Sequence, residues 1–303
     1  MSTPSQGRQE VRDFLASRRA KIEPRDVGLP GGTRRRVPGL RREEVAMLAG
    51  VSTEWYTRLE KGHISEVSDD VLDAVARVLR LNEEERVYLF DLARAARTRP
   101  RAAVRRREPA LEAQVQWLVD SVTMSAAFVR NGRLDVVATN SLARALHAPM
   151  FASPTTGASQ DGRANFARFH FLDPVARDFF VDWDAGAATT VALLRAEAGR
   201  EPHDRALREL VGELSTQSTE FGALWAAHDI QLRHHGAKRL RHPVVGPLEL
   251  TYQGLQLPTL PRAVHELSVY TAAPGSPAEE QLKLLASWSA PTAADADSSS
   301  PRH

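Results

Sequence analysis

Thr53, Glu54 and Arg58 are the side chains whose types and spacing could read the edge of a base pair. An arginine can take guanine O6 and N7 in a two-pronged fork, and a glutamate can accept from cytosine N4. At i, i+1 and i+5 they share the leading face of one short helix, the geometry that enters a DNA major groove. The plain alternative is that Glu54 is merely solvated and Arg58 touches only backbone. Arg42 and Ser52 each open a helical segment, where unpaired N–H groups already favour anions, so both are assigned to phosphates. Trp55 and Tyr56 divide between two surroundings. Tyr56 is placed in the core because Leu59 follows three residues on, and Trp55 against the sugar–phosphate wall. Just upstream, Arg34, Arg35 and Arg36 follow a glycine- and proline-rich stretch (Gly28, Pro30, Gly31, Gly32). The run is read as an arm reaching phosphates or an adjacent minor groove. Its plain alternative is a solvated charge run.

The elements that must hold these residues read as five short helices. Apolar spacing predicts them over 8–21, 40–49, 53–61, 68–79 and 83–97. Leu40, Val45, Leu48 and Ala49 are expected inward on the second, and Val87, Leu89, Phe90, Leu92 and Ala93 on the fifth. Ala46 lies four residues before Gly50, where two helices joined by a tight turn approach closely. Gly50 permits the turn, Ser52 can cap the next helix, and Gly62 ends it. Val51 and Leu59 close the small core between the pair. Asn82 caps the fifth helix.

Beyond a basic, proline-bounded linker over 98–109 the grammar changes. Helical spacing over 112–124 is followed by two apolar runs that flank Asn131-Gly132, a hairpin signal. Helices are expected over 141–147, 174–182, 189–199, 204–216 and 220–228, strands over 248–252 and 264–272, and a last helix over 279–288. This order predicts an α+β domain with helices on one face of an antiparallel sheet. The fold class is therefore mostly α with an α+β second domain. The domains run 1–97, 98–109 (linker), 110–289 and 290–303, the last a disordered tail.

The chain has 303 residues and no cysteine, which excludes a disulfide framework, a thiolate zinc site and a cysteine nucleophile. The apolar share of 42% is enough for real cores. Residues 1–107 carry 23 basic against 16 acidic side chains and the remainder 17 against 22, so a head of +7 precedes a body of −5. Opposite signs point to two tasks, with the polyanion partner on the head. No apolar run approaches the length of a membrane span and no leader is visible, so a soluble, cytoplasmic protein without a membrane partner is expected.

The segment from Arg41 to Gly62 resembles the helix-turn-helix of phage-repressor-like regulators. The whole chain resembles the MmyB-like transcription regulators, through Asp26-Val27-Gly28-Leu29-Pro30, the run from Arg34 to Ala46, and Tyr56-Thr57-Arg58-Leu59-Glu60. The likeness continues through Phe171-Leu172-Asp173-Pro174, Asp182-Trp183, Leu224 to Asp229, His242 to Gly246, and Val269-Tyr270-Thr271-Ala272, covering about residues 8–289. It implies a PAS-like second domain that binds a small, apolar ligand of fatty-acid type. It also implies that Glu60 pairs with an arginine of the first helix, here Arg19, and is not a DNA contact. One departure stands out. The family tends to carry tryptophan just before the asparagine of the second hairpin strand. Here Ala138-Thr139-Asn140 predicts a larger or differently selective pocket.

Aromatic residues crowd the second half, and most are expected to be core. Phe128, Asn140, Phe171, Trp183, Trp225 and His228 are taken as pocket candidates. His228, His234, His235 and His242 show no i, i+4 pair or matching acid, so no metal is assigned. No nucleophile elbow, phosphate loop or acid–base pair is visible, so neither an enzyme nor a cofactor is expected. The expected partners are double-stranded DNA and the small ligand, with the chain acting as a homodimer on a two-part site. The competing reading is a protein-interaction and oligomerisation module without ligand; a co-purifying lipid would separate the two.

Overall fold

The computed structural model describes residues 3–30, 39–97, 113–155, 162–228, 235–257 and 265–289. Arg34, Arg35 and Arg36, the 98–109 linker and the 290–303 tail lie outside them. The chain forms two compact units, one of residues 1–106 with 191–232, the other of 107–190 with 233–303.

In the first unit, α1 (Thr3–Lys21), α2 (Arg42–Ala49), α3 (Thr53–Glu60), α4 (Asp69–Val78) and α5 (Glu83–Arg97) close on one core. Phe14, Leu15, Leu40, Val45, Tyr56, Leu59, Leu72, Val75 and Leu89 are buried there. A Schellman turn joins α2 to α3. Gly50 takes φ 71°, its N–H donates to the Met47 carbonyl at 3.3 Å, and the Val51 N–H donates to Ala46 at 2.9 Å. Gly62 stands at φ 95°, and a Cβ there would lie 2.5 Å from the Arg8 carbonyl oxygen, so α1 passes too close for any side chain.

Two inward assignments are corrected. Leu48 is exposed, because Val45, Ala46 and Ala49 centre the inward arc and Leu48 falls outside it on a two-turn helix. Val87 is likewise exposed; its neighbour Tyr88 is buried instead, edge-on to Phe14 at 5.1 Å. This unit also holds the second half of α11 (Trp183–Arg200), α12 (Arg205–Gln217) and α13 (Thr219–Ala226), after α6–α10 below.

Among the described residues of the second unit, five strands form one antiparallel sheet. They are β1 (Ala126–Asn131), β2 (Val136–Thr139), β3 (His235–His242), β4 (Gly246–Leu257) and β5 (His265–Thr271), in the order β2-β1-β5-β4-β3. The Asn131-Gly132 hairpin forms, but its left-handed residue is Leu134 at φ 67°. The Asn131 side-chain oxygen holds that turn by accepting from the N–H groups of Arg133 and Asp135, both at 3.0 Å.

Helices α6 (Ala113–Ser121), α7 (Ser141–Leu146), α8 (Ala148–Phe151), α9 (Phe166–Leu172), α10 (Val175–Phe179), the start of α11, and α14 (Pro277–Ser289) pack around the sheet. They do not keep to one face. Val115, Val119 and Val122 of α6 cover Ala127, Val129 and Leu267. Phe128, on the alternate side of β1, meets Phe166 of α9 at 4.9 Å. The reason is composition: β1 has no polar face to leave wet.

Candidate nucleic-acid interface and ligand site

The exposed face of α3 is set from below by a buried carboxylate. Glu60 is 1% exposed and takes both prongs of Arg19 from α1, each at 2.9 Å. Arg19 also donates to the Leu40 carbonyl at 2.7 Å, which fixes the approach to α2. Arg42, the first residue of α2, reaches the same carboxylate with Nε at 2.9 Å and Nη2 at 2.8 Å. Burial alone would push the Glu60 carboxyl up, but the two guanidinium groups overcome it and hold it below the usual range. Glu60 therefore clamps α1, α2 and α3 together.

Above this clamp, Ser52 caps α3 by accepting from the Trp55 N–H at 3.1 Å. Ser52, Thr53, Glu54 and Arg58 are all exposed, Trp55 is half-buried against the core, and Tyr56 is fully buried. The structure thus brings Arg42, Ser52, Thr53, Glu54, Trp55 and Arg58 onto the α2–α3 pair. Half of the Arg42 side chain stays open to solvent even while it holds Glu60.

Four of the six pocket candidates, Phe128, Asn140, Phe171 and Trp183, lie in the sheet's unit. Asn140 is buried, and all of its polar groups are engaged. Its oxygen accepts from Ala127 at 3.1 Å and Ala143 at 2.8 Å, and its amide donates to the carbonyls of Val122 at 2.6 Å and Ser125 at 2.9 Å. Asn140 ties α7 and the end of α6 to β1. Phe128 sits in a ring cluster with His147, Phe166 and Tyr270. Phe171 and Trp183 meet edge-on at 5.8 Å, and Trp183 stacks on His170 at 4.9 Å.

Trp225 and His228 belong to the other compact unit. There Arg195 of α11, fully buried, stacks over Trp225 at 4.2 Å. It donates to the Trp225 carbonyl, meets Nδ1 of His228 at 2.9 Å, and pairs with Glu10 of α1. Arg18 of α1 bridges Glu85 of α5 at 2.6 Å and the His228 carbonyl. These groups seat the end of α13 on α1. Thr139 stands at an open cleft of about 600 Å³ along β2, with Arg144 stacked on Phe151 at its rim. His235 and His242 lie at opposite ends of β3, and His234 is outside the described residues.

The sequence matches two family models. Residues 111–285 match the MmyB-like transcription regulator ligand binding domain, and residues 13–89 match a helix-turn-helix domain. The chain belongs to the MmyB-like transcription regulators. No curated protein matches it. It is a DNA-binding transcription regulator with a ligand-binding domain. In this MmyB-like chain the ligand-domain match includes α11–α13, whose residues from Val191 onward pack in the compact unit of the helix-turn-helix.

The polar residues among the rings of the ligand-binding domain are ones that sequence reasoning missed: His147 and His170, both buried, and the half-buried Lys238 beside Phe180. Burial holds the His147 imidazole down to about 4 and that of His170 to about 3, so both are neutral at pH 7. Lys238 could have been found. It sits on β3 at the alternation position shared with Leu240 and His242, where an apolar residue is expected.

Proposed function

We propose that this chain is a ligand-responsive regulator that inserts α3 into a DNA major groove. Thr53, Glu54 and Arg58 read base edges, Arg42 and Ser52 hold phosphates, Trp55 lies against the backbone, and Arg34, Arg35 and Arg36 reach further phosphates. The observation that carries this reading is the face itself. A serine-capped helix presents those three side chains to solvent while the Glu60 clamp fixes its pose. One such head makes few phosphate contacts, so the working species is a homodimer on paired half-sites, in the cytoplasm.

Residues 110–289 form the sensor, following the family match. The strand order β2-β1-β5-β4-β3 with helices around it supports a PAS-like domain, and its interior of aromatic rings suits a small apolar ligand of fatty-acid type. Ligand binding shifts which arrangement of heads is populated and so which half-site spacing is reachable.

Selection of bound sites from random duplexes, with and without lipid extract, tests this. A single recovered motif whose affinity falls steeply with salt and changes with the extract supports it. Binding without salt dependence, or no enriched motif, contradicts it.

A further inference from the structure

Arg42 meets Glu60 along one edge only. Its Nε, at 2.9 Å, and its Nη2, at 2.8 Å, both donate to Oε1. A guanidinium is planar and carries five N–H donors, so this edge-on hold leaves the pair on Nη1 and one on Nη2 outside the bond. Among the described residues nothing else bonds Arg42. The carboxylates next to it in sequence are engaged elsewhere. Glu43 pairs with Arg41 at 3.2 Å, and Glu44 accepts from the Arg41 N–H at 2.7 Å. Half of the Arg42 side chain is open to solvent, so a group approaching from outside can reach it.

The other end of this hold is rigid. Glu60 is 1% exposed, and Arg19 takes its two oxygens at 2.9 Å each. Arg19 is fixed in turn by the Leu40 carbonyl at 2.7 Å. A long side chain on a helix surface ordinarily samples many rotamers, and an anion that captures it must freeze them. For Arg42 that ordering is already done in the free protein. Glu60 is also the last residue of α3, so the same bond ties the guanidinium to the helix whose start carries Thr53, Glu54 and Arg58.

We propose that Glu60 is a positioning residue for DNA binding. It holds the Arg42 guanidinium in one pose, in register with α3, with the free edge presented to a backbone phosphate. Glu60 itself touches no DNA. This rests on the groove reading above and adds how the phosphate grip and the reading helix are kept in step. Charge alone predicts the opposite sign. A carboxylate beneath a DNA-binding face repels the polyanion, so its removal would tighten binding if it did nothing else.

The test is fluorescence anisotropy of the full chain with a mixed-sequence duplex of about two helical turns in about 50 mM salt, at a temperature where circular dichroism shows each variant folded. Glu60→Gln puts an amide donor where an acceptor oxygen was. It should weaken binding about 5-fold, the ordering cost of one long side chain. In an Arg42→Ala background the same change should not weaken binding, because no guanidinium is left to hold. Arg42→Lys keeps the charge and loses the planar fork. It should weaken binding by a similar factor while the slope of affinity against salt stays that of the wild type. Position 42 is half exposed, so this variant decides the matter even where Glu60→Gln melts too low. Tighter binding by Glu60→Gln, an equal loss in both backgrounds, or an Arg42→Lys chain that binds as the wild type does overturns the positioning role and leaves the groove reading standing. A folded wild type that binds no duplex overturns both.

Discussion

Glu60 is the residue whose loss should tell most about how the reading helix is held. Glu60→Gln keeps the shape and one acceptor oxygen but removes the charge that two guanidinium groups share. The Arg19 side chain is only 15% exposed, so its charge is left without compensation. Breaking a buried pair in this way costs about 3–5 kcal/mol. The half-exposed Arg42 can turn to water, so its share is small. A loss of about 3 kcal/mol is expected, which for a unit of this size lowers the melting temperature by roughly 6–12 °C.

The carboxyl of Glu60 is held below its ordinary value of 4.5, so its stabilisation is complete above that value and is lost as pH falls through the depressed one. Thermal unfolding followed by circular dichroism should show the gap between wild type and Glu60→Gln wide at pH 7 and closing in acid. Arg19→Met combined with Glu60→Gln should cost little more than Glu60→Gln alone, because the two share one interaction. A single-variant loss under about 0.5 kcal/mol, or a gap that widens in acid, would refute the clamp.

Three further outcomes follow from the same contacts. Asn140→Ala removes four hydrogen bonds that tie the end of α6, β1 and α7, and should cost about 2–4 kcal/mol in urea denaturation, with Asn140→Asp losing at least as much because a carboxylate oxygen would face the Val122 and Ser125 carbonyls. Gly62→Ala forces a Cβ into the α1 backbone at a left-handed position and should lower the melting temperature more than Gly7→Ala, where nothing lies within 4 Å. Arg195→Ala removes the ion pair of Glu10, leaving it the Tyr88 hydroxyl alone, and should release the end of α13 from α1, seen as faster amide exchange over 219–228 with the sheet unchanged.

Much of the head was legible in the sequence because its signals are local. Gly50 needs a left-handed turn, Ser52 needs a helix to cap, and Tyr56 and Leu59 are three residues apart on one face. The Arg19–Glu60 pair spans 41 residues and came only through the family resemblance. Strand β3 was missed because its string His-Gly-Ala-Lys-Arg-Leu-Arg-His has almost no apolar alternation. It lies at the sheet's edge, where charged residues guard the open side. Helix α9 was missed because Phe-Ala-Arg-Phe-His-Phe-Leu is too apolar all round to show a stripe. That α11 runs from the sheet's unit into the helical one is a property of long-range packing, on which periodicity is silent.

The central claim is that the exposed start of α3 reads sequence, and Arg58→Ala tests it most directly. Arg58 has no buried contact to lose, so the variant should melt within about 0.5 kcal/mol of wild type. By fluorescence anisotropy at fixed salt, its preference for the selected duplex over a scrambled one should drop about 5- to 150-fold, the worth of one bidentate base contact. Arg42→Ala should instead weaken both duplexes alike. An Arg58→Ala chain that melts normally and still discriminates as the wild type does would contradict the account.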